Sequence, residues 1–273
     1  MTTLQALLLG VLQGLTEFLP VSSSGHLVLL QAFFGLREPA LLFDVFVHVA
    51  TLGAVFCIYR RDIWAMVVAC PGLPAAWRRP LALDGLALAQ YRRLGLLVLL
   101  ANVPTALLGL VVATALEELF ATPWAVGLAL LASGGALWSL RYTPKSWRDL
   151  DTLGISHALM LGLVQGVAVI PGLSRSGWTI AAALWCGLQR EAAARFSFLM
   201  AIPAIAGAAL LTAVQRVPGT TTPAPALLLG MAGAFGVGYL ALRFLLRVVS
   251  QGQFWRFAPY CWLVGLGALL FSR

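Results

Sequence analysis

Long apolar runs alternate with short clusters of arginine, proline and glycine along this chain. Six of the runs read as simple spans: Pro39–Tyr59, Leu94–Leu116, Leu119–Leu140, Phe196–Gln215, Ala226–Leu242 and Phe257–Phe271. About 20 apolar residues are needed to cross a bilayer as helix, so the last run is short for the purpose. Two further runs carry their polar residues in the middle. Leu4–Leu36 is interrupted at Pro20-Val21-Ser22-Ser23-Ser24-Gly25, and Ile155–Leu188 at Pro171–Gly177. A straight span should not place such a break at its centre. Irregular backbone at membrane depth is tolerated only where protein or a wet cavity surrounds it, so each run is expected to be a pair of half-helices. The pattern predicts an all-α polytopic membrane protein with six transmembrane helices and two re-entrant helical hairpins.

Composition agrees with this reading. The chain has 273 residues, 60% hydrophobic and 10% charged, where a soluble protein carries about 25% charged residues. The net charge of +8 acquires meaning from where the cations fall. Alternating spans put Arg60–Arg93, Arg141–Asp151, Arg190–Arg195 and Arg243–Arg256 on one side, with fourteen of the 18 Lys and Arg. Arg37, Arg216 and Arg273 fall on the other side, and Arg175 is buried. The positive-inside rule makes the basic side cytoplasmic and places both chain ends outside. No basic run with interleaved aromatics suggests nucleic acid. Cys57, Cys70, Cys186 and Cys261 have neither metal-ligand spacing nor a disulfide framework. Met1–Leu12 lacks the basic start of a cleavable signal peptide.

The two halves repeat. Gln13-Gly14 matches Gln165-Gly166, Ser22-Ser23-Ser24-Gly25 matches Ser174-Arg175-Ser176-Gly177, and Phe43 matches Phe196. Each half holds one hairpin and three spans, an odd number, so the second half enters the membrane inverted. We expect a single integral membrane domain over 1–273, with inverted repeats at about 1–140 and 153–273. In such folds a site forms near the midplane, where the two breaks meet.

Candidate chemistry gathers at those breaks. Arg175 is the one charged residue between Asp151 and Arg190, and an intramembrane arginine is a functional-site hypothesis by default. With Ser174, Ser176, Gly177 and Thr179 beside it, it suits a phosphate: a guanidinium fork with hydroxyl and N–H donors around it. The plainer reading is a Gly/Ser packing surface with an arginine snorkelling to the interface. On the first break, Glu17 is the lone acid of the hairpin and shares a helix face with Gln13. It could pair with Arg175, hold a cation or act as a general base. Ser23 and His26 are candidates for nucleophile or proton carrier. Asp44 and His48, four apart on the first span, could extend the site or merely pair with each other.

The stretch from Gln13 to His26, Gln-Gly-Leu-Thr-Glu-Phe-Leu-Pro-Val-Ser-Ser-Ser-Gly-His, resembles the first signature of the undecaprenyl-pyrophosphate phosphatase (bacitracin-resistance) family. Pro171-Gly-Leu-Ser-Arg-Ser-Gly-Trp-Thr179 resembles its second. The resemblance extends over essentially the whole chain, including Phe196–Pro203. It implies the architecture described above and hydrolysis of a C55 polyprenyl diphosphate to the monophosphate carrier of cell-wall sugars. It also implies a divalent cation, Mg²⁺ or Ca²⁺. The functional positions it carries over are Glu17, Ser23, His26, Ser174, Arg175, Ser176 and Thr179. Two departures stand out. Gln13 replaces a frequent Glu, leaving Glu17 as the single acid for metal, and Asp44 and His48 replace a frequent Glu and Gln.

The expected partners are the polyprenyl diphosphate and the bilayer, with a homodimer left open and no nucleic acid. The expected location is the bacterial inner membrane, with the site opening to the outer, periplasmic face. In the expected mechanism Arg175 grips phosphate, Gly177 adds an N–H, and Glu17 holds a cation or activates a nucleophile. Ser23, His26 and water stay open as the attacking group. Two other classes remain: a polyprenyl-phosphate carrier or flippase of the same architecture, and a structural protein of packed Gly/Ser hairpins.

Overall fold

The computed structural model describes residues 1–36, 41–72, 84–115, 122–214 and 222–271. Arg37, the centre of the Arg60–Arg93 loop, the Glu117-Glu118 pair, Arg216 and Arg273 lie outside the described residues. Within them the chain forms ten α-helices and no named strand. These are α1 (Thr3–Phe18), α2 (Ser23–Phe33), α3 (Leu41–Val68), α4 (Gly85–Ala115) and α5 (Pro123–Ser139), then α6 (Ile155–Val167), α7 (Arg175–Trp185), α8 (Arg190–Val214), α9 (Ala224–Ser250) and α10 (Ala258–Phe271). The two centrally interrupted runs are thus two pairs of short helices, broken at 19–22 and at 168–174.

Among the described residues five helices are long and apolar enough to cross a membrane: α3, α4, α5, α8 and α9. The sixth expected span is α10, with 14 residues. At about 1.5 Å per residue it reaches about 21 Å, short of a hydrocarbon core of about 30 Å. α3, α4, α8 and α9 run past the bounds expected for them, while α5 stays within its own. α3 passes Arg60 and Arg61 through a kink at Tyr59 (φ −98°, ψ 18°). α4 begins at Gly85, where Asp84 accepts the Ala87 N–H at 2.7 Å. Hydropathy marks where lipid ends. Backbone hydrogen bonding carries helix on into the interface, where arginines reach water.

Glycine fixes the tightest packing. α1 lies along α9, and α6 along α4. A Cβ on Gly10 would stand 2.0 Å from the Gly230 carbonyl oxygen, and one on Gly162 would stand 1.9 Å from that of Ala101. Lipid supplies no hydrophobic drive between helices, so association rests on close approach of small residues. Around these seams, Phe18, Phe196, Phe198 and Met200 are fully buried, and Phe18 meets Phe198 edge-on with centroids 5.8 Å apart. This core backs the join of the two breaks.

Candidate active site

Each half-helix after a break starts in the same way. Ser22 caps α2 by accepting the Gly25 N–H at 3.3 Å, and Ser174 caps α7 by accepting the Gly177 N–H at 3.1 Å. Such caps satisfy N–H groups that the first turn would leave bare, which matters most in an apolar surround. The breaks are tied together. The Gly172 N–H donates to Ser22 Oγ at 3.1 Å, and the Gly177 Cα faces the Pro20 ring. Gly172 has φ +95° and sits against Val126, leaving no room for a side chain.

The capped ends deliver their first residues, Ser23 and Arg175, to one carboxylate. Ser23 Oγ donates to Glu17 Oε2 at 2.6 Å, and an Arg175 terminal nitrogen donates to Glu17 Oε1. Gln13, one turn back on α1, donates to Oε2 at 3.1 Å. His48 Nε2 lies 3.5 Å from the same oxygen. The Glu17 side chain is 4% exposed and that of Arg175 17%, so the guanidinium is the more accessible of the two. One N–H of Arg175 serves Glu17, leaving the rest of its five donors for an arriving anion. Two helix N-termini face this point, and their dipoles favour negative charge.

The remaining expected residues have other partners. His26 bonds Tyr260 and the Ser22 carbonyl at 2.8 Å each and makes no bond to Glu17. Thr179 Oγ donates to the Arg175 carbonyl at 2.7 Å and meets Ser197 Oγ at 2.5 Å, seating α7 on α8. Ser174 and Ser176 Oγ lie 3.4 Å apart, and Ser176 reaches the Leu19 carbonyl. Asp44 receives Gln31 rather than the His48 ring, whose Nδ1 lies 2.7 Å from the Asp44 carbonyl. His48 therefore joins the site and Asp44 stands behind it.

Three contributors escaped the sequence reading. Ser133 of α5 supports the second break, accepting the Ser174 N–H at 3.2 Å and Trp178 Nε1 at 3.1 Å. Ser197 seats Thr179, and Tyr260 holds His26. Each is an isolated polar residue in an apolar helix, a weak signal without the fold around it.

Oxygen donors suit a hard cation, and Gln13 and Glu17 are the neighbouring side chains that could offer them. Gln13 Oε1 is buried with no partner, beside the Glu17 carboxylate. Among the described residues no group of three or more His, Cys, Asp and Glu gathers to hold a metal. With two protein oxygens, a divalent ion held here would have to draw its remaining ligands from phosphate oxygens and water, as Mg²⁺ commonly does.

The helices define a multi-pass membrane protein, and at the meeting of its two breaks a buried carboxylate is paired with a part-buried guanidinium. The chain belongs to the family described as bacitracin resistance protein BacA, which it matches over residues 6–267. It is similar to a protein of Desulforapulum autotrophicum named undecaprenyl-diphosphatase, 45% identical over 272 residues and 97% of each chain. A relative of the same name from Desulfosudis oleivorans is 47% identical over 270 residues, again 97% of each. One from Korarchaeum cryptofilum is 40% identical over 266 residues and 97% of each.

Proposed function

We propose that this protein is an undecaprenyl-diphosphatase, an integral membrane hydrolase that converts undecaprenyl diphosphate to undecaprenyl phosphate and phosphate. The observation that carries the reading is the meeting of Ser23 and Arg175 on Glu17, within a family whose relatives bear that name. Phosphoryl transfer needs charge neutralised on the moving group and a nucleophile in line. Arg175 supplies the first, as a fork that binds phosphate oxygens bidentately. Ser23 supplies the second, with Glu17 as its base at 2.6 Å. The Ser23 Oγ–phosphorus bond forms as the anhydride bond breaks, and the proton goes to Glu17. Glu17 returns it to the departing undecaprenyl phosphate. It then takes a proton from the water that attacks the phosphoserine phosphorus and passes it to Ser23 Oγ as the O–P bond breaks, so that phosphate leaves with Ser23 and Glu17 restored. A bound Mg²⁺ or Ca²⁺, held by Glu17 and Gln13 Oε1, would neutralise charge on the diphosphate.

Ser174, Ser176, Gly177 and Thr179 serve this site by building the turn that aims Arg175 at the diphosphate. The carrier or flippase reading has no observation in its favour: the relatives matched over 97% of the chain are named as phosphatases. Phosphate release from undecaprenyl diphosphate by purified protein in detergent tests the reading. Ser23→Ala should abolish it, along with any trapped phosphoserine; undiminished turnover by Ser23→Ala would remove Ser23 as nucleophile.

The finer architecture belongs to the same proposal: one membrane domain of two inverted repeats, six spans and two re-entrant hairpins. Its support is a set of exchanged contacts. Gly25 approaches Gly172, and Gly177, 152 residues on from Gly25, approaches Pro20, 152 residues before Gly172. α1 on α9 is matched by α6 on α4. Residue by residue the halves trade places, as a pseudo-two-fold axis requires. α10 would complete the sixth span by drawing on its preceding 3₁₀ turn (Phe254–Phe257). The location proposed is the bacterial inner membrane with the site opening outward, away from the basic side. The Glu17 centre is complete within one copy, and the particle mass in detergent tests a homodimer.

A further inference from the structure

His26 is held at both ring nitrogens. Nδ1 lies 2.8 Å from the Ser22 carbonyl oxygen and Nε2 2.8 Å from the Tyr260 hydroxyl. A carbonyl only accepts, so Nδ1 bears the proton, and Nε2 of the neutral ring accepts from Tyr260. The two rings stack, with centroids 5.7 Å apart and 8° between planes. Both nitrogens are therefore engaged, and no lone pair is left to attack phosphorus.

The imidazole holds an unusual turn. Ser22 has φ 70° and ψ 94°, the one positive φ outside glycine among the described residues. N-cap residues ordinarily lie in the β region, as its counterpart Ser174 does at φ −82°, ψ 109°. A residue with a Cβ stays in such a conformation only when its surroundings hold it there. The Ser22 carbonyl takes both the backbone N–H of His26, at 3.2 Å, and the ring Nδ1–H. The residue after this turn is Ser23, whose hydroxyl meets Glu17. At the repeat-related position stands Trp178, which bonds Ser133 instead, and there the turn is ordinary.

We propose that Tyr260 and His26 are positioning residues. They form a brace from α10 through the imidazole to the Ser22 carbonyl, holding the turn that sets Ser23 Oγ against Glu17. His26 neither attacks phosphorus nor carries the proton. The proposal rests on the reading of Ser23 and Glu17 as nucleophile and base.

Asparagine discriminates between the roles. In this protein Asn102 donates to a carbonyl four residues back at 2.8 Å, so His26→Asn keeps the donor to Ser22 while removing every basic nitrogen. Turnover of undecaprenyl diphosphate and the melting temperature are measured for wild type, His26→Asn, His26→Ala, Tyr260→Phe and Tyr260→Phe/His26→Ala. His26→Ala should lose turnover on the order of 10²-fold, the scale of a misplaced reacting group. His26→Asn should recover to within about tenfold of wild type, and Tyr260→Phe should cost about tenfold in kcat with KM unchanged, the scale of one hydrogen bond. Tyr260→Phe should cost nothing further in the His26→Ala background, because it acts through the ring. A folded His26→Asn as inactive as His26→Ala overturns the proposal. So does a Tyr260→Phe protein that is faster than wild type, or that loses as much turnover without His26 as with it. If His26→Asn does not fold, the two Tyr260 backgrounds decide alone. Wild type that releases no phosphate would instead remove the hydrolase reading.

Discussion

Ser23 and Arg175 stand 152 residues apart, each opens the helix after its break, and each donates to a different oxygen of Glu17. In the proposed repeat these two equivalent positions carry a hydroxyl in one half and a guanidinium in the other, so the site itself is asymmetric. Its single acid lies on the first half, because the position 152 residues after Glu17 is Val169.

Arg175→Lys separates a phosphate grip from a tie between the halves. A lysine keeps the charge but not the planar fork. Loss of a preorganised donor to developing charge costs on the order of 10²–10³ in turnover, and that is the expected result. If the residue only paired with Glu17, lysine would largely substitute. The damage would then appear in the melting temperature, and the Glu17→Gln/Arg175→Gln double variant would recover part of it. Turnover and melting of all four proteins in one detergent decide it.

Glu17→Gln should abolish turnover while the protein still inserts, since the base for Ser23 and the one carboxylate for a cation go together. Gln13→Glu should be tolerated, because a second carboxylate strengthens cation binding. The check is activity across a series of Mg²⁺ and Ca²⁺ concentrations. Near-normal turnover by Glu17→Gln with an unchanged metal requirement would make Glu17 structural.

Gly162→Ala and Gly10→Ala should each lower stability by about 1–3 kcal/mol, the usual cost of forcing atoms into a filled interface. The new methyl groups would meet carbonyl oxygens of Ala101 and Gly230, which are backbone and cannot swing aside. Gly207→Ala, where nothing lies within 4 Å, is the control and should melt like wild type. Equal melting of all three would contradict the close helix contacts.

Orientation is read by labelling single cysteines in a protein stripped of its own. An impermeant reagent applied from outside should reach a cysteine at Thr221, which lies outside the described residues, and miss one at Ala87. The prediction rests on the proposed topology, which has an odd number of spans in each half and gathers the basic residues on the Ala87 side. The reverse labelling would invert the topology.

The sequence by itself determined the membrane class and the two centrally interrupted runs. Apolar length, charge placement and motif spacing are local properties, and the bilayer imposes them directly on composition. Helix ends were less legible: α3 and α8 extend past the charges that seemed to bound them, because lipid thickness limits hydropathy and not hydrogen bonding. Partner choice was decided only by tertiary structure. Gln13 and Glu17 could be paired from their spacing on one helix. His26 and Tyr260 lie 234 residues apart, and no spacing rule connects a residue on the first hairpin with one on the last helix. His48 rather than Asp44 meets Glu17 because the two share a face of α3 one turn apart, and the packing of α3 on α1 brings the His48 turn level with the carboxylate. Thr179 and Ser174 carry the side chains a phosphate would want, yet their hydroxyls bond within the helix and its seat. In an apolar surround a cap or a carbonyl left unpaired is costly, so the nearest acceptor or donor claims the hydroxyl first.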